Sequence, residues 1–471
     1  MKTNKFFLLP IMALLCLVGF SNLFTACGSD EPEGGETDAV KETIVLRKSS
    51  IAEGEKVEAE ETTLLTLEYN TVVAIAPTAA ITLNGAKAEA HVSKSTAMKV
   101  EVTLALEEGK EYTLSIPSGS ILGQSDAKTT APAYTLHFST IKYEAPDVAK
   151  TLCDKQANAD AKALYDKLLG YYGRTMISGI MCDVAWNQKT ADQVFGWVGK
   201  RPVLNGYDYI HLAWSPANWI DYTDTSIVTN WTKDGGIAAC MYHFNVPSSE
   251  ATVPVDEHDQ KNLEQMTCTP EKTTFKARNC FVEGTWEKAF YDRQLDKLIA
   301  QIKLLQDAHV ALLWRPYHEA KGNTGLYNGA GKAWFWWGTD GPEVFKKLWL
   351  DMYERFQKAG LHNLIWVFTD STDNLSLDWY PGDEYVDIVG ADIYNKTKAA
   401  DCAYVFKGLE KAYPHKMITL SECGNVADMQ SQWNAGAKWL WFMPWYGGGD
   451  NPHYTLEWWT KAANSKNVLM R

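Results

Sequence analysis

Eight short apolar runs, separated by stretches of helical periodicity, constrain this chain more than any other feature. The runs are "TMISGIM", "PVLNGYDYI", "GIAACMYHF", "AHVALLWRPYHE", "NLIWVFT", "VDIVGADIY", "KMITLSECG" and "KWLWFMPW". Between several of them lie "WEKAFYDRQLDKLIAQIKLLQDA", "EVFKKLWLDMYERFQKAG" and "CAYVFKGLEKAYP", and "DAKALYDKLLGYYG" precedes the first. Continuously apolar strands are buried on both faces, and strands alternating with helices imply a parallel sheet. Eight such units over roughly 320 residues predict an α/β fold, a closed (β/α)8 TIM barrel, over residues 150–471. The polar stretch from Pro247 to Glu287 reads as a loop insertion after the third strand.

The rhythm differs upstream. Residues 40–145 hold short alternating runs such as "TLLTLEYN", "MKVEVTLA", "EYTLSIPSG" and "YTLHFST", with turn residues between them and no tryptophan. That pattern predicts a small all-β sandwich. "LEEGKEYTLSIPSGSIL" followed by "YTLHFST" resembles bacterial Ig-like domains that act as spacers, and the lack of an aromatic cluster favours a spacer over a glycan-binding module. At the N-terminus, Lys2 and Lys5 precede "FFLLPIMALLCLVGF", which is short for a membrane span and suits a signal peptide over 1–26. Thr25 and Ala26 before Cys27, with Gly28 and Ser29 after it, resemble a bacterial lipoprotein processing site, although Phe24 stands where the strict pattern has leucine. The acidic stretch 27–39 resembles the surface-export tether of Bacteroidetes lipoproteins. Lipidation at Cys27, and a protein anchored to the outer membrane on the cell surface or in the periplasm, are the expectations.

A (β/α)8 barrel does its chemistry at the C-terminal ends of its strands, and here those ends carry reactive side chains. The third run ends at His243, the fourth at His318 and Glu319, the sixth at Asp392 and Tyr394, the seventh at Glu422 and the eighth at Trp445. Two glutamates facing one another across a barrel mouth suit glycosidic bond cleavage, with one carboxyl protonated and the other ionised. Competing readings exist for each residue. Glu319 is four residues from Arg315, and on a regular strand the two would share a face and could pair, but Pro316 and the strand end disturb that alternation. Glu422 also suits a buried carboxylate paired to a lysine such as Lys416. His318 suits a core position and His243 a loop cap.

Other chemistries fit poorly. A net charge of -13 argues against nucleic acid. "HEAKG" has Gly322 where the zinc-protease pattern needs its second histidine. The barrel part has no G-x-S-x-G elbow, and no glycine-rich phosphate fingerprint follows its first strand. No metal or organic cofactor is implied. Seven cysteines lie beyond Cys27 without a CxxC pair. Cys268 and Cys280, in one polar loop, are the candidates for a disulfide in an oxidising compartment.

"RPYHEAKGN", "AWFWWG", "GADIY", "SECG" and the late tryptophans together resemble glycoside hydrolase family 26, over about Leu152 to Arg471. These are mostly endo-β-1,4-mannanases, with catalytic glutamates on strands four and seven. The resemblance implies Glu319 as general acid/base and Glu422 as nucleophile of a retaining mechanism. It implies substrate-binding roles for His243, His318, Tyr394 and Trp445, with Tyr394 also hydrogen-bonding Glu422 and His318 binding either Glu422 or the sugar, and makes Trp334 the aromatic platform on the leaving-group side. The insertion "AKGNTGLYNGAGK" separates the acid/base from "WFWWG", so Trp336 and Trp337 stay open as alternatives. The implied substrate is β-mannan, glucomannan or galactomannan. Some members cleave mixed-linked glucan or β-1,3-xylan instead, and a barrel that only captures glycan is a further alternative.

Overall fold

A computed structural model describes residues 43–59, 62–124, 128–183, 186–323, 332–371, 377–447 and 453–471. The expected signal peptide, Cys27 and the tether lie outside these residues. The chain divides into two compact units between Lys142 and Tyr143.

The first unit is all β. Its four-stranded antiparallel sheet runs Leu46–Ser49, Thr63–Tyr69, Lys99–Leu104, Glu89–Val92. A five-stranded sheet is centred on Tyr134–Thr140 and Glu111–Ile116. The alternation seen in the sequence is the pleat itself. In Lys99–Leu104, Val100, Val102 and Leu104 are buried and the residues between them are half-buried. They meet Leu114, Leu136 and Phe138 of the other sheet in one apolar core.

The second unit is the eight-stranded barrel. Its strands are Met176–Met181, Leu204–Asp208, Ile237–Tyr242, Leu312–Pro316, Leu364–Ser371, Ile388–Tyr394, Met417–Gly424 and Trp441–Pro444. Each pairs in parallel with the next, and the last pairs with the first, which closes the ring. All eight apolar runs are therefore strands, in the order expected. The four helical stretches form the helices Ala159–Tyr171, Trp286–Asp307, Pro342–Lys358 and Ala399–Ala412. Thr285 caps the longest by accepting from the Lys288 N–H, which explains why that helix starts where the insertion ends. The insertion is not featureless: Val246–Pro247 and Met266–Thr267 form a small antiparallel ladder, followed by 3-10 turns.

The expected disulfide is absent from this fold. Cys268 and Cys280 are both free thiols, as are Cys153, Cys182, Cys240, Cys402 and Cys423. Cys280 is buried inside the turn Ala277–Phe281, where burial pushes its thiol up. Cys268 is half-buried, and its carbonyl accepts from the Trp336 N–H. Sharing a loop in sequence did not make the two sulfurs partners.

Because residues 143–471 bury their own continuous core, a fragment Tyr143–Arg471 should fold and hydrolyse soluble substrate at the full-length rate. It must keep Tyr143, whose hydroxyl donates to the Tyr172 carbonyl and whose ring lies under Arg174. Circular dichroism and kcat on the fragment check this, and a fragment that is folded but several-fold slower contradicts it.

Candidate active site

The regular part of strand four stops at Pro316, and the backbone then turns sharply. Tyr317 and Glu319 both adopt left-handed conformations, with φ of 48° and 51°. For residues with a Cβ this costs about 1–2 kcal/mol each, so the surroundings must enforce it. They do. The Tyr317 hydroxyl lies 3.1 Å from that of Tyr291, with both rings buried. Trp337 Nε1 donates to the His318 carbonyl at 2.9 Å. Lys321 forms a buried ion pair with Asp370 at 2.9 Å. The turn breaks the strand alternation, as Pro316 suggested, and the competing same-face ion pair of Arg315 with Glu319 does not form in that way.

Arg315 reaches across the barrel instead. It is 4% exposed, and its Nη1 donates to Asp392 Oδ2 at 2.9 Å and Oδ1 at 3.2 Å. Its Nη2 donates to Glu422 Oε2. The Tyr394 hydroxyl donates to Glu422 Oε1 at 2.5 Å. Glu422 therefore accepts from a cation on one oxygen and a phenol on the other, as an ionised carboxylate does. Burial, and then the charge of Glu422, push the Tyr394 phenol far up, so it remains a donor. Lys416, the alternative partner for Glu422, bonds the carbonyls of Val386 and Asp383 before strand seven begins.

The acidic group of the turn, Glu319, is hydrogen-bonded to Asp392. Burial pushes its carboxyl well up, and the negative charges of Asp392 and Glu422 push it further, with Arg315 opposing. Burial raises Asp392 as well, but Arg315 donates to it twice. A hydrogen bond between two carboxyls needs a proton on one of them, and since Arg315 only donates to Asp392, Glu319 is the donor. One barrel mouth thus carries two glutamates in opposite states, Glu422 charged and Glu319 protonated.

A local irregularity aims Glu422. Strands six and seven pair Ala391 with Leu420 and then Asp392 with Glu422, so the register skips Ser421. Such a bulge turns side chains out of simple alternation. It needs space on strand six: a Cβ on Gly390 would stand 1.9 Å from the Ser421 hydroxyl.

The histidines form a second group. His243 Nδ1 lies 2.5 Å from Asp208 Oδ2, and its Nε2 lies 3.1 Å from His318 Nε2. Burial first, then Arg315 and His243, hold His318 well below the ordinary histidine range, so it is neutral. The Trp445 ring centroid is 5.8 Å from that of His243, and Phe335 is 5.5 Å from His243 and 5.1 Å from His318. Burial separates the three tryptophans. Trp336 and Trp337 are fully buried, with their indole N–H groups donated to the carbonyls of Phe244 and His318. Neither has a face to offer, whereas Trp334 is half-buried.

The fold thus gathers Glu319, Glu422, His243, His318, Tyr394 and Trp445 at one end of the barrel. Sequence reasoning gave no role to Asp208, Arg315 or Phe335, and noted Asp392 only as a strand end. Asp208 had a usable signal, since it closes the apolar run of strand two in the same way that Glu422 lies near the end of strand seven.

The charge of Asp392 has a measurable consequence. Asp392→Asn removes one of the charges that raise Glu319, so the Glu319 proton should be lost at lower pH. The alkaline limb of kcat/KM should move to lower pH. A pH–rate profile of the variant checks this, and an unmoved alkaline limb would detach that limb from the Glu319–Asp392 pair.

The barrel unit has relatives among known proteins. A profile described as glycosyl hydrolase family 26 matches residues 153–467. A mannan endo-1,4-beta-mannosidase of Thermothelomyces thermophilus is 31% identical over 372 residues, covering 75% of this chain and 69% of that protein. Mannan endo-1,4-beta-mannosidase A of Piromyces sp is 32% identical over 327 residues, covering 64% of this chain but only 48% of that protein. Among solved structures, the family 26 domain of a Prevotella bryantii endo-beta-mannanase/endo-beta-glucanase is 44% identical, with a TM-score of 0.64, covering 68% of this chain and 98% of that one. A beta-mannanase from a symbiotic protist of the termite Reticulitermes speratus, solved with a gluco-manno-oligosaccharide, is 31% identical with a TM-score of 0.56, covering 69% of this chain and 98% of that one.

Proposed function

Because the chain belongs to glycosyl hydrolase family 26 and is a glycoside hydrolase, we propose that it cleaves internal β-1,4-mannosidic linkages of mannan, glucomannan or galactomannan with retention of configuration. The observation that carries this reading is the unequal setting of the two glutamates on one rim, Glu422 between two donors and Glu319 bonded to a carboxylate. Glu422, charged between Arg315 and Tyr394, attacks the anomeric carbon. Glu319 gives its proton to the departing oxygen and then, as base, activates the water that releases the sugar. Once Glu422 is esterified its charge is gone. One source of the repulsion that holds the proton on Glu319 disappears with it, which suits the change from acid to base.

Tyr394 releases Glu422 as the bond forms and holds it again on release. His243, His318 and Trp445 line the cleavage subsite, and Trp334 supplies the platform for the leaving sugar. The names of the relatives support mannan as substrate. Release of reducing sugar from mannan, mixed-linked glucan and β-1,3-xylan, measured side by side, tests this reading. Faster cleavage of either of the last two would replace mannan as the substrate.

The same proposal places the enzyme on an outer membrane, held by lipid on Cys27. The support is the sequence "FTACGSDEPEGGE" alone. Cys27→Ser should move the protein from the membrane to the soluble fraction with kcat unchanged. Retention in the membrane fraction removes the lipid anchor from the proposal.

A further inference from the structure

We propose that Asp208 is a positioning residue that fixes the proton of His243 on Nδ1, and thereby makes His318 the donor in the His243–His318 hydrogen bond. Asp208 ends strand two, and its side chain is 3% exposed. Its two oxygens serve His243 separately. Oδ1 accepts the backbone N–H at 3.0 Å, and Oδ2 lies 2.5 Å from ring Nδ1. An ionised carboxylate can only accept, so Nδ1 carries a proton.

The rest follows along the chain of rings. A neutral His243 with its proton on Nδ1 has a bare lone pair on Nε2. That nitrogen lies 3.1 Å from His318 Nε2, so His318 must donate, and its own proton is on Nε2. His318 Nδ1 is then an unprotonated acceptor. It is buried with no hydrogen-bond partner among the described residues, a position where a bare lone pair costs less than an unpaired N–H. Both nitrogens of His243 are engaged within the protein, so His243 meets a sugar through its ring edge beside Trp445 and not through an N–H. Its place in the site is to hold His318 against the turn that carries Glu319.

A carboxylate is required for this because Asp208 faces two donors. An asparagine there has one acceptor and one donor. If its carbonyl takes the backbone N–H, its NH2 meets Nδ1 and drives the His243 proton to Nε2. The His243–His318 bond then reverses, and His318 must carry a buried proton on Nδ1. If the amide flips, its NH2 meets the backbone N–H instead. That sets two donors face to face, whereas the first orientation satisfies both partners once the His243 proton has moved, so the first is adopted.

The test is nitrogen NMR of the full chain labelled at histidine, with His243 assigned by difference from a His243→Gln variant. Wild type should show a protonated Nδ1 and a bare Nε2 at His243, and the reverse pattern at His318. In Asp208→Asn the His243 pattern should invert, with kcat/KM on mannan lower on the order of 10- to 100-fold, as is typical when an orienting partner is lost. A merely structural role would leave the tautomer unchanged. A wild-type His243 protonated on Nε2 overturns the proposal, as does an Asp208→Asn protein with an unaltered His243 spectrum. Should that variant not fold, the wild-type spectrum decides alone. The spectra do not depend on which polysaccharide is cleaved, so this inference can fail while the substrate reading stands, and the reverse.

Discussion

Glu422→Ala should reduce turnover of mannan roughly ten-thousand-fold or more, the scale expected when a covalent nucleophile is removed. The fold should survive the change. Arg315 keeps its two Nη1 bonds to Asp392, so the buried cation stays paired, although its Nη2 and the Tyr394 hydroxyl each lose their bond to Glu422. The missing carboxylate leaves a space beneath the anomeric carbon. Azide can enter it and attack an activated substrate directly. The product should then be the α-glycosyl azide, because a single displacement inverts. If the wild-type enzyme displaces twice, as proposed, its first-formed anomer in proton NMR should be β. An α anomer appearing first in the wild-type reaction would overturn double displacement, and with it the assignment of Glu422 as nucleophile.

Glu319→Ala should have the next largest effect, and its size should depend on the leaving group. On polysaccharide the departing oxygen needs a proton, so the loss should be ~100- to 10,000-fold. On an aryl glycoside whose phenol leaves unaided, the first step should remain fast. Release of the sugar from Glu422 still lacks its base, so the phenol should appear as a burst equal to the enzyme present, followed by a slow phase. Azide should accelerate that slow phase and yield the β-glycosyl azide. Equal losses on the two substrates, without a burst, would remove Glu319 from the acid role.

What could be read from the sequence, and what could not, divides along a physical line. Strand number and order were legible because buried parallel strands are written as continuous apolar runs. The chemical residues were legible because a barrel presents strand ends on one rim. Both glutamates were found in that way. Of their partners only Tyr394, beside Glu422, was named. Asp208 and His243 are 35 residues apart, and Arg315 lies 77 residues from Asp392 and 107 from Glu422. Such pairings are set by ring closure, which no local pattern records. The competing local reading, an ion pair of Arg315 with Glu319, fails where Pro316 already disturbs the strand alternation: two left-handed residues end it there. The tryptophans show the opposite limit. "WFWWG" states that aromatic rings are present, but only burial shows that Trp336 and Trp337 are structural while Trp334 keeps a face outside the core.

The close approach between strands six and seven has a bearing on how this chain can change over generations. Gly390 belongs to "GADIY" and Ser421 to "SECG", two segments that look independent when written out. In the barrel they compete for the same few cubic ångströms, since even a methyl group at 390 would collide with the serine oxygen. A larger residue at 390 is therefore open only to a descendant that has already lost the side chain at 421, and that loss touches the bulge aiming Glu422. Mutational routes that improve strand packing by filling Gly390 are closed by the catalytic geometry next door. In homologous barrels the two positions should be inherited as a unit.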